Sequence, residues 1–263
     1  MGMPVVVDAR DDDADVSALF EWLRLVDETF STYKEHSDIS RLGRGEIRVD
    51  QAHPLVGEVL DECDRLRAET RGYFDARARG TLDPSGLVKG WAVERGARLL
   101  VAQGLTSFAI NAGGDIRVVG DEPWRIGIQH PIQRDKVAKV IESGDLAIAT
   151  SGAYLRGTHV VNPHTRTPPQ GVLSVTITGP DLAIVDAYAT AAFAMGERGP
   201  WWTARLQGYE AMTILADGRL LSTPGFPAEP DHENAGSVAL SSTSPTDSSP
   251  PEGASEPLGG AST

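Results

Sequence analysis

Apolar residues recur at helical spacing in four stretches of this chain and at strand spacing in several others. Between residues 16 and 30 they fall at 16, 19, 20, 23, 26 and 30, which predicts an amphipathic helix. Residues 54–70 repeat the pattern, and residues 89–103 do so again, with Gly104 placed to cap the end. Residues 182–195 read as a fourth helix. Residues 5–7, 108–111, 116–119, 124–128, 136–141, 146–150 and 172–178 read as strands, several divided by Gly, Asp or Pro at hairpin spacing. Residues 211–221 read as a hairpin turning at Asp217-Gly218. Helices and mainly antiparallel strands arranged in blocks predict an α+β fold, a mixed sheet with packed helices, rather than regular α/β alternation.

The stretch from about Pro227 to Thr263 differs in kind. It consists of Ser, Pro, Thr, Gly, Ala and acids, with no Lys or Arg. Such a segment buries too little apolar surface to offset the entropy of ordering it, so the expectation is one folded domain over 1–226 and a disordered tail over 227–263. No apolar run approaches the length of about 18–20 residues that a membrane span needs. The first residues, Met1-Gly2-Met3-Pro4, carry neither a basic nor an apolar leader region, which predicts a cytoplasmic protein. A net charge of −13 argues against nucleic acid as a partner, yet leaves room for a small anion held by local cations and amides. The single cysteine, Cys63, excludes an internal disulfide and shares a helical face with Val59, Leu60 and Leu66, as a small core residue would.

Four constellations carry candidate chemistry. Asn111-Ala112-Gly113-Gly114-Asp115 joins two apolar strands; its glycines either make a tight turn at positive φ or let amides approach a ligand. No helix follows, so it is not the dinucleotide fingerprint. Asp83-Pro84-Ser85-Gly86-Leu87-Val88-Lys89 opens the 89–103 helix, where orphan amides and the dipole suit a pyrophosphate and Lys89 adds a cation in the first turn. A capped helix with a surface lysine is the plainer alternative. His159 precedes Val160-Val161-Asn162-Pro163 and is either a base for a hydroxyl nucleophile or an ordinary surface histidine. Asp186 and Thr190, four apart on a helix, suit a hard cation such as Mg²⁺, although helix surface and packing yield the same pair.

In order along the chain, these pieces resemble the ApbE family of FAD:protein FMN transferases. The matching segments are Phe30 to Tyr33 with Ser37 to Leu42, Gly72 to Asp75, Asp83 to Val93, Asn111 to Asp115, Trp124 to Ile128, Ala149 to Gly152, His159 to Thr165 and Val185 to Ala191. The resemblance implies a magnesium-dependent enzyme that cleaves FAD and attaches its FMN half to a threonine or serine of an acceptor protein, releasing AMP. Tyr33 would lie against the isoalloxazine ring. Phe74, Asp75, Asp83 and Lys89 would line the FAD site, with Lys89 near the diphosphate, while Asn111, Gly113, Gly114, Asp115, Ser151 and Gly152 would shape its cleft. The carbonyl of Gly86 with Asp186 and Thr190 would hold Mg²⁺, and His159 would activate the acceptor hydroxyl. Two other functions use the same site: an FAD pyrophosphatase, with water as acceptor, and an FAD-binding module without catalysis. The chain departs from the family pattern in four places. Only Ala76 to Leu82 separate Asp75 from Asp83, where many members carry a long insertion that walls part of the cleft. Ala189 stands where a further carboxylate or small residue is common. Asn162 and Arg166 replace the usual aspartate and glycine. No export signal of the kind many members carry is visible.

Overall fold

A computed structural model describes residues 2–152 and 160–227. His159 and the stretch from residue 228 onward therefore lie outside the described residues. The elements run β1 (Val5–Ala9), α1 (Ser17–Phe30), α2 (Asp38–Gly43), α3 (Pro54–Glu69), α4 (Ser85–Ala102), β2 (Phe108–Ala112), β3 (Asp115–Val119), β4 (Trp124–Gln129), β5 (Val137–Ser143), β6 (Leu146–Gly152), β7 (Val172–Gly179), α5 (Leu182–Ala194), α6 (Gly199–Thr203), β8 (Glu210–Leu215) and β9 (Leu220–Ser222). The predicted helices and strands are all present. The largest boundary shift is at α4, which starts at Ser85, not Lys89, with Asp83 accepting the Ser85 N–H at 3.1 Å just ahead of it. Lys89 consequently stands in the second turn of α4, not the first.

Seven strands form one sheet in the order β1-β2-β3-β6-β7-β8-β9, and every neighbouring pair is antiparallel. The α+β expectation holds. Alternation along the strands sorts side chains between two cores. Phe108, Ile110 and Ala112 of β2, Ala147 and Ala149 of β6, and Val175 and Ile177 of β7 pack with α1, α3, α4 and α5 in the larger core. Ala109, Ile116, Val118, Ile148, Met212 and Ile214 face the other way, onto the β4–β5 hairpin with Trp124, Ile126, Ile128 and Ile141.

This alternation has a direct consequence for β3. With Ile116 and Val118 turned to the hairpin, Asp115 and Arg117 are turned to the helices, where α4 meets them with Lys89 and Glu94. Burial of charge on that scale requires partners. Glu94 has them in Arg117 at 3.1 Å, Arg98 at 3.4 Å and the Leu182 N–H that opens α5 at 2.9 Å.

Candidate functional site

Helices α4 and α5 cross so closely that only glycine fits at position 90. A Cβ there would collide with the Leu182 carbonyl and lie 2.8 Å from Asp186 Cβ. The bare backbone also lets the Gly90 N–H donate to Asp186 Oδ2 at 3.1 Å. Asp186 is buried, and its other oxygen lies 3.6 Å from Lys89 Nζ. Lys89 in turn forms an ion pair with Asp115, whose Oδ1 accepts the Thr150 N–H at 3.3 Å. One ammonium is thus held between two buried carboxylates drawn from the sheet and from α5. Burial raises the Asp186 carboxyl above the usual carboxylate range; Lys89 pulls it down, and neighbouring Asp115 pushes it up again.

One turn further along α5, Thr190 Oγ1 stands 3.3 Å from Ser151 Oγ of β6. A Cβ built on Gly86 would sit 3.6 Å from the same Thr190 hydroxyl, so the first turn of α4 lies against it. Asp186, Thr190, Gly86 and Lys89 all open into one cleft of about 820 Å³, within the range of ligand sites.

The expected site residues fall into three groups. Tyr33, Phe74, Asp75, Asp83, Gly86, Lys89, Gly113, Ser151, Asp186 and Thr190 line this cleft. Tyr33 is 87% exposed, an aromatic face left open at the mouth. Asn111, Gly114 and Asp115 act from behind the lining: Asn111 Oδ1 accepts the Gly114 N–H at 3.0 Å, and Gly113 and Gly114 turn β2 into β3 at φ +61° and +100°. The tight-turn alternative for this segment holds, and the turn also brings Gly113 to the cleft. Gly152 ends β6 without lining the cavity. His159 lies outside the described residues, but Val160, Val161 and Pro163 just after it belong to the cleft wall.

Sequence reasoning missed part of the wall. Residues 76–82, read as a shortened loop that removes wall, are themselves wall: Ala76, Ala78, Arg79 and Thr81 line the cleft. The loop closes on itself through Asp83 N–H to the Ala76 carbonyl at 2.8 Å. The end of β4 and the turn after it contribute Gln129 and Arg134. No periodic pattern marks either loop, so nothing in the sequence singled them out.

The ApbE family profile matches residues 1–80 and 76–213, nearly all of the described chain. The chain belongs to the ApbE family. Among solved structures, the flavin transferase ApbE from Vibrio cholerae is 25% identical and superposes with a TM-score of 0.71 over 85% of this chain and 94% of that one. An ApbE protein from Thermotoga maritima, 21% identical, shares the fold with a TM-score of 0.72 over 85% of this chain and 94% of its own. The curated FAD:protein FMN transferase of Rhodobacter capsulatus is 32% identical over 170 residues, 56% of this chain and 32% of the relative. That of Vibrio cholerae is 37% identical over 130 residues, 44% of this chain and 39% of the relative. The chain thus spans well under half the length of these two curated relatives in sequence alignment. Among the described residues no helix is long and apolar enough to cross a membrane.

Proposed function

We propose that this ApbE-family protein transfers FMN from FAD to a serine or threonine hydroxyl of an acceptor protein and releases AMP. The observation that supports this most is the convergence of Lys89, Asp186, Thr190 and Gly86, from two helices held together by Gly90, at the floor of a cleft large enough for a dinucleotide. Relatives named FAD:protein FMN transferase lend support to flavin transfer.

The donor set fits a hard divalent cation. Asp186 offers a carboxylate, Thr190 a hydroxyl one turn away, and Gly86 a backbone beside that hydroxyl. Among the described residues no three Asp, Glu, His or Cys side chains converge, so water and substrate phosphate would complete the shell, as Mg²⁺ prefers. When bound there, Mg²⁺ supplies electrostatic stabilisation of phosphoryl oxygens. Lys89 contributes a fixed cation whose position the Asp115 ion pair holds. Tyr33 offers an exposed ring for a flat isoalloxazine. His159, in the role the family resemblance suggests, takes the acceptor proton as the hydroxyl oxygen attacks the FMN phosphorus.

The test is incubation of purified protein with FAD and Mg²⁺, with and without a peptide containing a Ser/Thr acceptor, read by intact mass. An FMN-sized gain on the acceptor, abolished by EDTA and by His159→Ala, supports the transferase. Asp186→Ala should lower the rate by about 100-fold or more, the scale expected for losing a charge aligned on the transition state. Free FMN and AMP without labelled acceptor would replace this function with FAD hydrolysis, and bound but unchanged FAD would leave only a binding module.

A further inference from the structure

Among the described residues Lys89 is the one cation beside Asp186 and Thr190 in the cleft, and two carboxylates already answer it. Its charge is shared with those carboxylates, so a substrate that carries a diphosphate calls for cations beyond it. The other Lys and Arg side chains lining the cleft among the described residues are Arg79 and Arg134, one from the 76–82 loop and one from the β4–β5 turn. Neither belongs to the residue set that the family resemblance assigns.

Both arginines ride on braced loops. Around Arg79, the Ala78 N–H donates to the Asp75 carbonyl at 3.0 Å and the Gly80 N–H to the Arg77 carbonyl at 2.9 Å. The nearest acid, Asp75, is committed elsewhere: its carboxylate accepts from Arg67 Nε at 3.2 Å and from the Arg77 N–H at 2.8 Å. Among the described residues no carboxylate pairs with Arg79. Around Arg134, His130 Nδ1 accepts the N–H groups of Ile132 and Gln133 at 3.1 Å, and Gln129 Nε2 donates to the Arg134 carbonyl at 2.7 Å. Both side chains are exposed at the mouth.

We propose that Arg79 and Arg134 hold the phosphate of the departing AMP half of FAD, as positioning residues that this chain's short 76–82 loop and its β4–β5 turn supply. The inference rests on the transferase reading. In that reaction the bond between the FMN phosphorus and the bridging oxygen breaks, and its electron pair stays on that oxygen, which leaves with AMP. The acceptor oxygen forms the new bond to phosphorus, and its proton passes to the base and then to solvent. Negative charge therefore grows on the AMP phosphate, beyond what Lys89, shared by two carboxylates, offsets alone. A guanidinium matches phosphate by paired, charge-assisted hydrogen bonds, and arginines that meet leaving-group charge are a recurring device in phosphoryl transfer. A mouth position suits the half of the substrate that must leave.

The experiment titrates AMP, adenosine and FMN separately into the full chain, wild type and Arg79→Ala, Arg134→Ala and the double variant, by calorimetry with Mg²⁺ present. The expected result is a loss of AMP affinity of about 10-fold in each single variant, with adenosine and FMN unchanged within about twofold. Turnover should follow, with kcat/KM for FAD falling and KM for the acceptor unmoved. Unchanged AMP affinity, an equal loss for all three ligands, or a rise confined to the acceptor KM would each overturn the proposal. So would a wild type that binds FAD but not AMP. A wild type that neither binds nor cleaves FAD would instead remove the transferase reading itself, which keeps the two failures apart.

Discussion

Arg166 stands at φ +58°, in the left-handed region where an L side chain crowds its own backbone and glycine does not. The glycine that the family resemblance leads one to expect there would meet no such cost. The neighbouring departure is accommodated: Asn162 Oδ1 accepts the N–H groups of His164 and Thr165 at 2.9 and 3.4 Å, bonds an aspartate would make equally well. Relief of the left-handed strain, about 1–2 kcal/mol, outweighs the extra chain entropy of glycine, about 0.5–1 kcal/mol. Arg166→Gly should therefore stabilise the protein by about 0.5 kcal/mol in urea unfolding, with activity retained. Cys63 gives a second residue-level expectation. Its burial, with Asp64 and Glu62 adding to the effect, pushes the thiol up to about 12, so the reactive thiolate is scarce at neutral pH. A thiol reagent at pH 8 should label Cys63 only after denaturant is added; labelling of the native protein at the unfolded rate would contradict its place in the core.

Between elements, the α4–α5 crossing is the contact on which the floor of the site depends. Gly90 and Gly96 of α4 both lie where a Cβ would clash, and they should respond differently. A Cβ at Gly90 meets the rigid Leu182 carbonyl, whereas one at Gly96 meets the tip of Leu19, which can rotate away. Gly90→Ala should cost about 3 kcal/mol and weaken FAD binding, because it pushes aside the helix that carries Asp186 and Thr190. Gly96→Ala should cost about 1 kcal/mol and leave FAD affinity intact. Equal effects on binding would detach the crossing from the site. The helices themselves were legible, since α1 and α3 carry long apolar stripes that periodicity detects. The short α2 and α6 were not read from the pattern, because six and five residues are too few to establish a helical period. Nor could β3 reveal which way Asp115 points: period two says that Asp115 and Arg117 share a face, but only the pairing with β6 and the hairpin behind it decides that this face meets α4. The helix-borne candidates Lys89, Asp186 and Thr190 were therefore found from sequence, while the loop-borne Arg79 and Arg134 were not.

At the scale of the whole molecule, the second core shows how the chain is anchored as far as residue 227. The β4–β5 hairpin covers the sheet face opposite the helices, and Phe226 inserts beside it, 8% exposed, with Lys139 Nζ 5.9 Å from its ring centre. The preceding turn is tied in by the Phe226 N–H to the Thr223 carbonyl at 3.1 Å and by the Gly225 N–H to Glu210 at 3.1 Å. The composition change near residue 227 thus coincides with the last buried side chain among the described residues. If the folded unit ends where the composition changes, a chain ending at Pro227 should unfold within about 2 °C of the full chain. A chain ending at Ser222 uncovers Ile126, Ile141 and Ile214 and should lose about 3 kcal/mol, the scale of deleting a buried phenylalanine. Phe226→Ala in the full chain separates packing from chain length: it should reproduce most of that loss. If the Pro227 truncation proved as damaging as the Ser222 one, residues past 227 would belong to the folded unit and the boundary drawn from composition would have to move.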